Sequence, residues 1–284
     1  MLARRQIPLS QLFIIAGLTA FMFLLLFPFY YVLMISVMPN QNYVTQAYHL
    51  FPKGFTLEYY ELIFTDKRML NAVRVSIIVT VVGTFLNVII SAAGGYVLTK
   101  SQLLWHKWLN IMIIIPLMFG GGLIPLYLVI KGLHLTGSLW GLILPFICNS
   151  FYIILMKNFF ASLPIELEEA ARIDGAKELK VFTQIIMPLS KPILAVMTLF
   201  YGVFRWNEFF WSGIIVGPDK YPMMVLLKQL IRRVDSQMQI QLPGLVPMSL
   251  TSAIIVVMII PIVLVSPLIQ KHFVKGMILG AVKS

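Results

Sequence analysis

Six long apolar stretches, separated by short polar ones, organise this chain. The first, Leu12 to Met38, holds no Asp, Glu, Lys or Arg. The others cover about 75–99, 108–130, 136–156, 192–216 and 250–270. A helix needs roughly 20 apolar residues to cross the hydrocarbon core of a bilayer. The pattern therefore predicts an all-α membrane protein with six transmembrane helices, forming one transmembrane domain over residues 1–284. Between the fourth and fifth stretches lies a charged, soluble-looking segment, about 161–191. Prolines punctuate the spans at Pro28, Pro116, Pro125, Pro145, Pro261 and Pro267. Membrane helices tolerate them where neighbours satisfy the freed carbonyls. Gly120, Gly121 and Gly122, followed by Pro125, admit two readings: a break in the third span, or close helix packing through small residues.

Composition agrees with the pattern. Hydrophobic residues make up 59% and charged residues 12% of the 284, against about 25% charged in a soluble domain. The net charge of +11 does not indicate nucleic acid. The basic residues are scattered, with no basic run interleaved with aromatics, and in multispan proteins positive charge follows loop topology and anionic lipid. Cys148 is the sole cysteine, so no intrachain disulfide forms, and His49, His106, His134 and His272 share no ligand spacing. No metal site is expected. Arg4 and Arg5 precede an apolar run too long for a signal peptide's core of about 7–15 residues, so the first span is read as uncleaved.

Six spans place both termini on one side. With the termini inside, the inner segments carry Arg4, Arg5, Lys100, Lys107, Lys157, Arg172, Lys177, Lys180, Lys191, Lys271, Lys275 and Lys283. The outer ones carry Lys53, Lys67, Arg68, Arg74, Lys131, Lys220, Lys228, Arg232 and Arg233. That excess places the termini and the 157–191 loop in the cytoplasm.

Pro164 suits the first turn of a helix in that loop. Glu166, Glu168 and Glu169 complement the dipole at its start, and Gly175 suits a left-handed stop. The expected helix has about eleven residues and is roughly 16 Å long. A second helix follows from Ala176 and stops before Pro188 and Pro192. Leu167, Ala170, Ala171 and Asp174 share one face at i, i+3, i+4, i+7 spacing, and the two alanines make it shallow enough for another protein's groove. An ordinary amphipathic loop helix is the other reading.

The spacing across this loop is specific. Glu169-Ala170-Ala171, three residues, Gly175, nine residues and Ile185-Ile186-Met187-Pro188 resemble the EAA loop of ABC importer permeases, with Met187 where the pattern has Leu. Asp174-Gly175-Ala176 fits the carbohydrate importers. The C-terminal Phe273-Val274-Lys275-Gly276 to Gly280-Ala281-Val282-Lys283-Ser284 resembles the tail of MalG-type sugar permeases. Phe119-Gly120-Gly121-Gly122-Leu123-Ile124-Pro125 is similar to the branch associated with oligosaccharides and polysaccharide fragments. Trp206-Asn207-Glu208-Phe209 and Thr56-Leu57-Glu58-Tyr59-Tyr60 are similar to that family too.

The resemblance implies an ABC importer type I permease fold with a cytoplasmic coupling helix, in a bacterial cytoplasmic membrane. It implies a homologous second permease subunit, two ATPase subunits and an extracytoplasmic solute-binding protein as partners, and a carbohydrate as substrate. Glu169, Ala170, Ala171, Asp174, Gly175, Ile185 and Pro188 would couple to the ATPase. The chain itself would be no enzyme and bind no cofactor, ATP and Mg residing in the partner subunits. Gly132 and Gly137 stand at phosphate-loop spacing, but no Lys follows Gly137, so the match is fortuitous.

Arg205, Trp206, Asn207, Glu208 and Trp211 are the oddest intramembrane cluster. Charges within a span face a cavity or a partner, and aromatics beside polar groups suit sugars, so these residues with Asn149 and Tyr152 are candidates for a substrate path. An Arg205–Glu208 pair at i, i+3 is the structural reading, and for Asn87, Asn149, Ser150 and Tyr152 helix-to-helix hydrogen bonding is. The same pair would serve an ion-coupled secondary transporter, the competing functional reading. Met223 to Val234 reads as an amphipathic helix of the outer loop. It would either contact the binding protein or lie on the membrane surface.

Overall fold

A computed structural model describes residues 9–45, 50–240 and 248–281. Arg4, Arg5, His49 and the last three residues of the C-terminal motif fall outside them. Every regular element among the described residues is helical. The long helices are α1 (Leu9–Ser36), α4 (Lys67–Val97), α12 (Lys191–Trp206), α14 (Met223–Ile240) and α15 (Met248–Ala281). Between them lie α2 (Asn40–Thr45), α3 (Glu58–Thr65), α5 (His106–Met118), α6 (Leu123–Gly132), α7 (Trp140–Ile143), α8 (Ser150–Ala161), α9 (Glu166–Ile173), α10 (Glu178–Val181), α11 (Met187–Leu189) and α13 (Phe210–Ile215).

Among the described residues three helices are long and apolar enough to cross a membrane, Ser10–Ser36, Lys67–Val97 and Met248–Val265, or up to five if each of two bent helix pairs is one span. Those three overlap most of the predicted first, second and sixth spans. The other three predicted spans are each interrupted, and local chemistry explains the first two breaks. The third divides into α5 and α6 at Phe119–Gly122. Three successive glycines there forfeit about 1 kcal/mol of helix propensity each, and Gly122 takes a φ of 83°. The fourth turns by 52° between Trp140–Phe146 and Ser150–Ala161. Pro145 sits in a 3-10 turn, and Asn149 restarts the helix by accepting a hydrogen bond from the Tyr152 N–H at 3.3 Å. The fifth ends at Trp206 and resumes at Phe210.

The chain forms two compact units, Met1–Lys67 with Gln229–Ile259, and Arg68–Lys228 with Ile260–Ser284. In the first, Ile35, Met38, Ile63, Ala253 and Ile254 are buried, and the Ser36 and Tyr60 hydroxyls hydrogen-bond at 2.7 Å. The side chains of α1 face outward along most of its length, as befits contact with lipid.

The second unit is threaded by α4, which enters two separate apolar clusters. One gathers Val75 and Val79 of α4 with Ile130, Leu142, Ile143, Ile215 and Val216. The other gathers Ala92 and Tyr96 of α4 with Met156, Phe160, Val181, Ile186, Met197 and Tyr201. At the second cluster α4 and α8 cross closely. A methyl on Gly95 would stand 2.7 Å from Met156 Cβ and 2.9 Å from the Lys157 nitrogen. The start of α14 also belongs here. Met223, Val225, Leu226 and Leu227 are buried, and the Met223 N–H donates to Ser76 Oγ at 2.9 Å. This end of the predicted surface helix is thus packed into protein rather than laid on lipid.

Candidate functional site

The polar segment between α8 and α12 forms a hairpin of short helices. The first, α9, has eight residues rather than eleven, and Glu166, Glu168 and Glu169 occupy its first turn as expected. Gly175 ends it with a φ of 79°. Its N–H bonds the Arg172 carbonyl at 3.0 Å, while the Ala176 N–H bonds the Ala171 carbonyl at 2.9 Å. Those two bonds make a Schellman turn, which satisfies the last carbonyls of the helix and reverses the chain. The second helix does not stop before Pro188. It continues through a π turn, Phe182–Ile186, into Met187–Leu189. The π turn widens the coil one turn ahead of the proline, where the ring would otherwise strike a carbonyl. An 82° bend then leads into α12.

The predicted coupling residues divide between two sides of this hairpin. Glu169, Ala170, Asp174 and Gly175 are exposed, as is Pro188, while Ile185 is half-buried. Ala171 departs from the predicted outward face. It is half-buried and packs against the cluster around Tyr96 and Val181. The outward surface instead runs through Glu169, Ala170 and Ile173, and Ile173 is 86% exposed.

A charged cluster lies on the inner side, and sequence reasoning missed it. Glu168 points away from the outward face and pairs with Lys100, just beyond the end of α4, and with Arg172 at 3.2 Å. Arg172 also reaches Glu178 at 2.8 Å. The Tyr96 hydroxyl donates to Glu178 at 2.8 Å, and the Lys100 ammonium sits 4.1 Å over the Tyr96 ring. Burial works to raise the Glu178 pKa, but the hydrogen bond from Tyr96 and the charges of Lys100 and Arg172 prevail and hold it below the usual carboxylate range. The i, i+4 spacing of Glu168 and Arg172 was the available signal. The partners Tyr96 and Lys100 lie too far away in sequence to be inferred from it.

Arg205 stands in the last turn of α12 and is 4% exposed. Its guanidinium donates to Asn87 Oδ1 from Nε at 3.0 Å and from Nη2 at 2.8 Å. It also donates to the carbonyls of Leu142, Ile143 and Phe146. Asn87 Nδ2 donates in turn to the carbonyls of Phe146 and Ile147 at 2.7 and 2.8 Å. These carbonyls sit at the break in the fourth span, where a helix end leaves acceptors without intrahelical donors. Arg205 and Asn87 cap that end. Gly83 makes room for them, since a methyl there would stand 2.9 Å from Arg205 Nε.

The expected Arg205–Glu208 pair is not formed. Glu208 turns instead to the start of α13, accepting from the N–H groups of Trp211 at 2.6 Å and Ser212 at 3.1 Å and from the Ser212 hydroxyl. A helix start offers free N–H donors, and the three-residue break places the carboxylate directly over them. The remaining candidates do not converge on one surface. Trp211 packs beside Phe146 with ring centroids 5.5 Å apart, and Asn207 donates to the Val203 carbonyl at 2.9 Å. Tyr152 lies edge-on to Tyr201 at 4.5 Å, and Asn149 caps α8. Trp206 lines a cavity of about 490 Å³ with Thr80, Thr84, Phe85, Leu194, Gly202 and Pro261. Its wall is almost wholly apolar. Among the described residues no group of three or more His, Cys, Asp or Glu side chains is placed to hold a metal ion.

The chain is 39% identical over 263 residues to Protein LplC of Bacillus subtilis, covering 90% of this chain and 88% of that one. It is 37% identical over 282 residues to the polygalacturonan/rhamnogalacturonan transport system permease protein YtcP of the same organism, covering 97% and 98%. Among solved structures it is similar to a bacterial ABC transporter involved in the import of the acidic polysaccharide alginate. That match has a TM-score of 0.84 and 30% identity, and covers 94% of this chain and 99% of that one. Residues 7–279 match the family described as binding-protein-dependent transport system inner membrane component, and the chain belongs to that family.

Proposed function

We propose that this protein is the permease subunit of an ATP-driven ABC importer for oligosaccharides or polysaccharide fragments. On this reading it is a single transmembrane domain of six spans, three of them broken, with both termini and the 161–191 hairpin in the cytoplasm. A homologous second permease, two ATPase subunits and an extracytoplasmic solute-binding protein complete the assembly. ATP and Mg are bound by the ATPase subunits, and closure of those subunits would press on α9 and drive alternating access.

One observation carries the coupling role. The helix bearing Glu169 and Ala170 is held on its inner side by ion pairs, yet leaves Ala170 and Ile173 exposed. So short a helix is unstable alone in water, and an exposed isoleucine on it calls for a partner's groove. The carbohydrate assignment rests on the relatives, among them the arabinooligosaccharides transport system permease protein AraQ of Halalkalibacterium halodurans, 27% identical over 290 residues. The Arg205 guanidinium gives no support to an anionic substrate in particular, because its donors are taken up by Asn87 and backbone carbonyls. An ion-coupled transporter built on Arg205 and Glu208 is disfavoured for the same reason, each group having its own structural partners.

The test is uptake in proteoliposomes containing the co-purified assembly. ATP-dependent uptake of a saccharide bound by its solute-binding protein is expected. Gly175→Pro should abolish that uptake and loosen the ATPase subunits, because proline cannot adopt a φ of 79°. Full activity without any ATPase subunit overturns the proposal.

A further inference from the structure

We infer that Tyr96, Lys100, Glu168, Arg172 and Glu178 form a clamp that makes α9 and the cytoplasmic end of α4 one mechanical piece. This rests on the reading of α9 as the element on which the ATPase acts. It goes beyond that reading by naming residues that pass the motion inward without touching the ATPase.

The geometry separates the two roles. Ala170 and Ile173 are on the outward side of α9. Glu168 is on the inward side with Lys100, and only about one-seventh of each side chain is exposed. The Schellman turn at Gly175 folds the chain back so that Glu178 meets Arg172 six residues earlier. Glu178 then meets Tyr96 from below. Each carboxylate thus bridges a residue of α9 and a residue of the α4 end: Glu168 is itself on α9 and binds Lys100, while Glu178 binds both Arg172 and Tyr96. Aromatic packing backs the hinge, with the Tyr96 ring 5.0 Å from Phe182 and 6.5 Å from Phe160.

These contacts form one connected cluster, since the Lys100 ammonium also stands 4.0 Å from Glu178 and 4.1 Å over the Tyr96 ring, so α9 is tied to the end of α4 through several linked contacts rather than one pair. Displacement of α9 is therefore delivered to α4. Nine residues up the same helix, about 13 Å at 1.5 Å per residue, Asn87 holds Arg205 and the break in the fourth span. Tyr96, Lys100, Glu168, Arg172 and Glu178 are positioning residues on this path.

The experiment uses the complete complex in proteoliposomes and measures three things: ATPase subunits retained on purification, ATP hydrolysed, and substrate taken up per ATP. Lys100→Met, Glu168→Gln and Tyr96→Phe each remove one connection with little change of shape. Each should retain the ATPase subunits but lower uptake per ATP. The combination Lys100→Met with Tyr96→Phe should lower it about tenfold, within the range of couplings carried by such networks. Lys100→Arg should restore it, because a cation is kept opposite Glu168. Unchanged uptake per ATP in the combined variant overturns the clamp. So does release of the ATPase subunits by Lys100→Met while Lys100→Arg releases them equally, since the residues would then belong to the docking surface. A wild-type complex that carries no ATPase subunit is a different result, and it sinks the importer reading itself.

Discussion

Two arginines of the second compact unit serve helix ends in opposite ways. Arg172 is about one-third exposed and bonds two carboxylates, Glu168 and Glu178. Arg205 is buried and bonds neutral oxygens, those of Asn87 and of three backbone carbonyls. The contrast follows from the surroundings. Beside water, a single ion pair contributes little, typically within about 1 kcal/mol, so this joint is held by several linked contacts together. Away from water, desolvating a second charge is expensive. Spreading one guanidinium over several dipoles employs all three of its nitrogens and serves several orphan acceptors at once. The first arrangement suits a joint that must respond to a partner. The second suits a joint that must not move independently. Both are anchored to α4.

The contrast breaks most sharply at the buried site. Arg205→Met should leave the Leu142 and Ile143 carbonyls and Asn87 Oδ1 without the guanidinium, while the Phe146 carbonyl keeps only its bond from Asn87 Nδ2. An unsatisfied buried polar group costs about 1–3 kcal/mol, so a total loss of several kcal/mol is expected. It should show as low yield and early thermal aggregation in detergent. Arg205→Lys should fail almost as badly, because one ammonium cannot span acceptors that a planar fork reaches together. A stable Arg205→Met variant would mean that the cap is dispensable. Gly83→Ala should cost less, about 1–3 kcal/mol for forced repacking, because its methyl presses on Arg205 Nε at 2.9 Å without removing any bond. Its thermal midpoint should fall between those of wild type and Arg205→Met.

Much of the fold is legible in the sequence because hydrophobic length is a local property. Most of the predicted first, second and sixth spans falls in helices that begin at Leu9, Lys67 and Met248. The triple glycine and the left-handed Gly175 are legible for the same reason. The breaks in the fourth and fifth spans are not, since a stretch of apolar residues reads alike whether straight or bent. Pro188 misleads because only the preceding π turn makes room for it. Arg205 and Glu208 are conspicuous as charges, but their i, i+3 spacing suggests a mutual pair that the helix break at Asn207–Phe209 prevents. The partners that matter, Asn87 for Arg205 and Lys100 for Glu168, lie 118 and 68 residues away. No local pattern encodes such pairings.

The exposed joint should show the smallest effect, and pH is the way to sharpen it. Glu178 has a folded-state pKa depressed below its ordinary value because Tyr96, Lys100 and Arg172 favour the carboxylate more than burial disfavours it. A depressed carboxylate stabilises the fold wherever the unfolded chain is also ionised. That contribution is lost only as pH falls through the folded value. The Glu178 contribution should therefore stay constant from neutral pH down to about 4.3, the ordinary glutamate pKa, and decline below it. Glu178→Gln keeps the shape, loses the charge and should remove part of that decline. The difference in thermal midpoint between the two proteins should be small at neutral pH and shrink toward zero in acid. A difference that grows as pH falls would mean that Glu178 is protonated in the folded state, leaving Arg172 held by Glu168 alone.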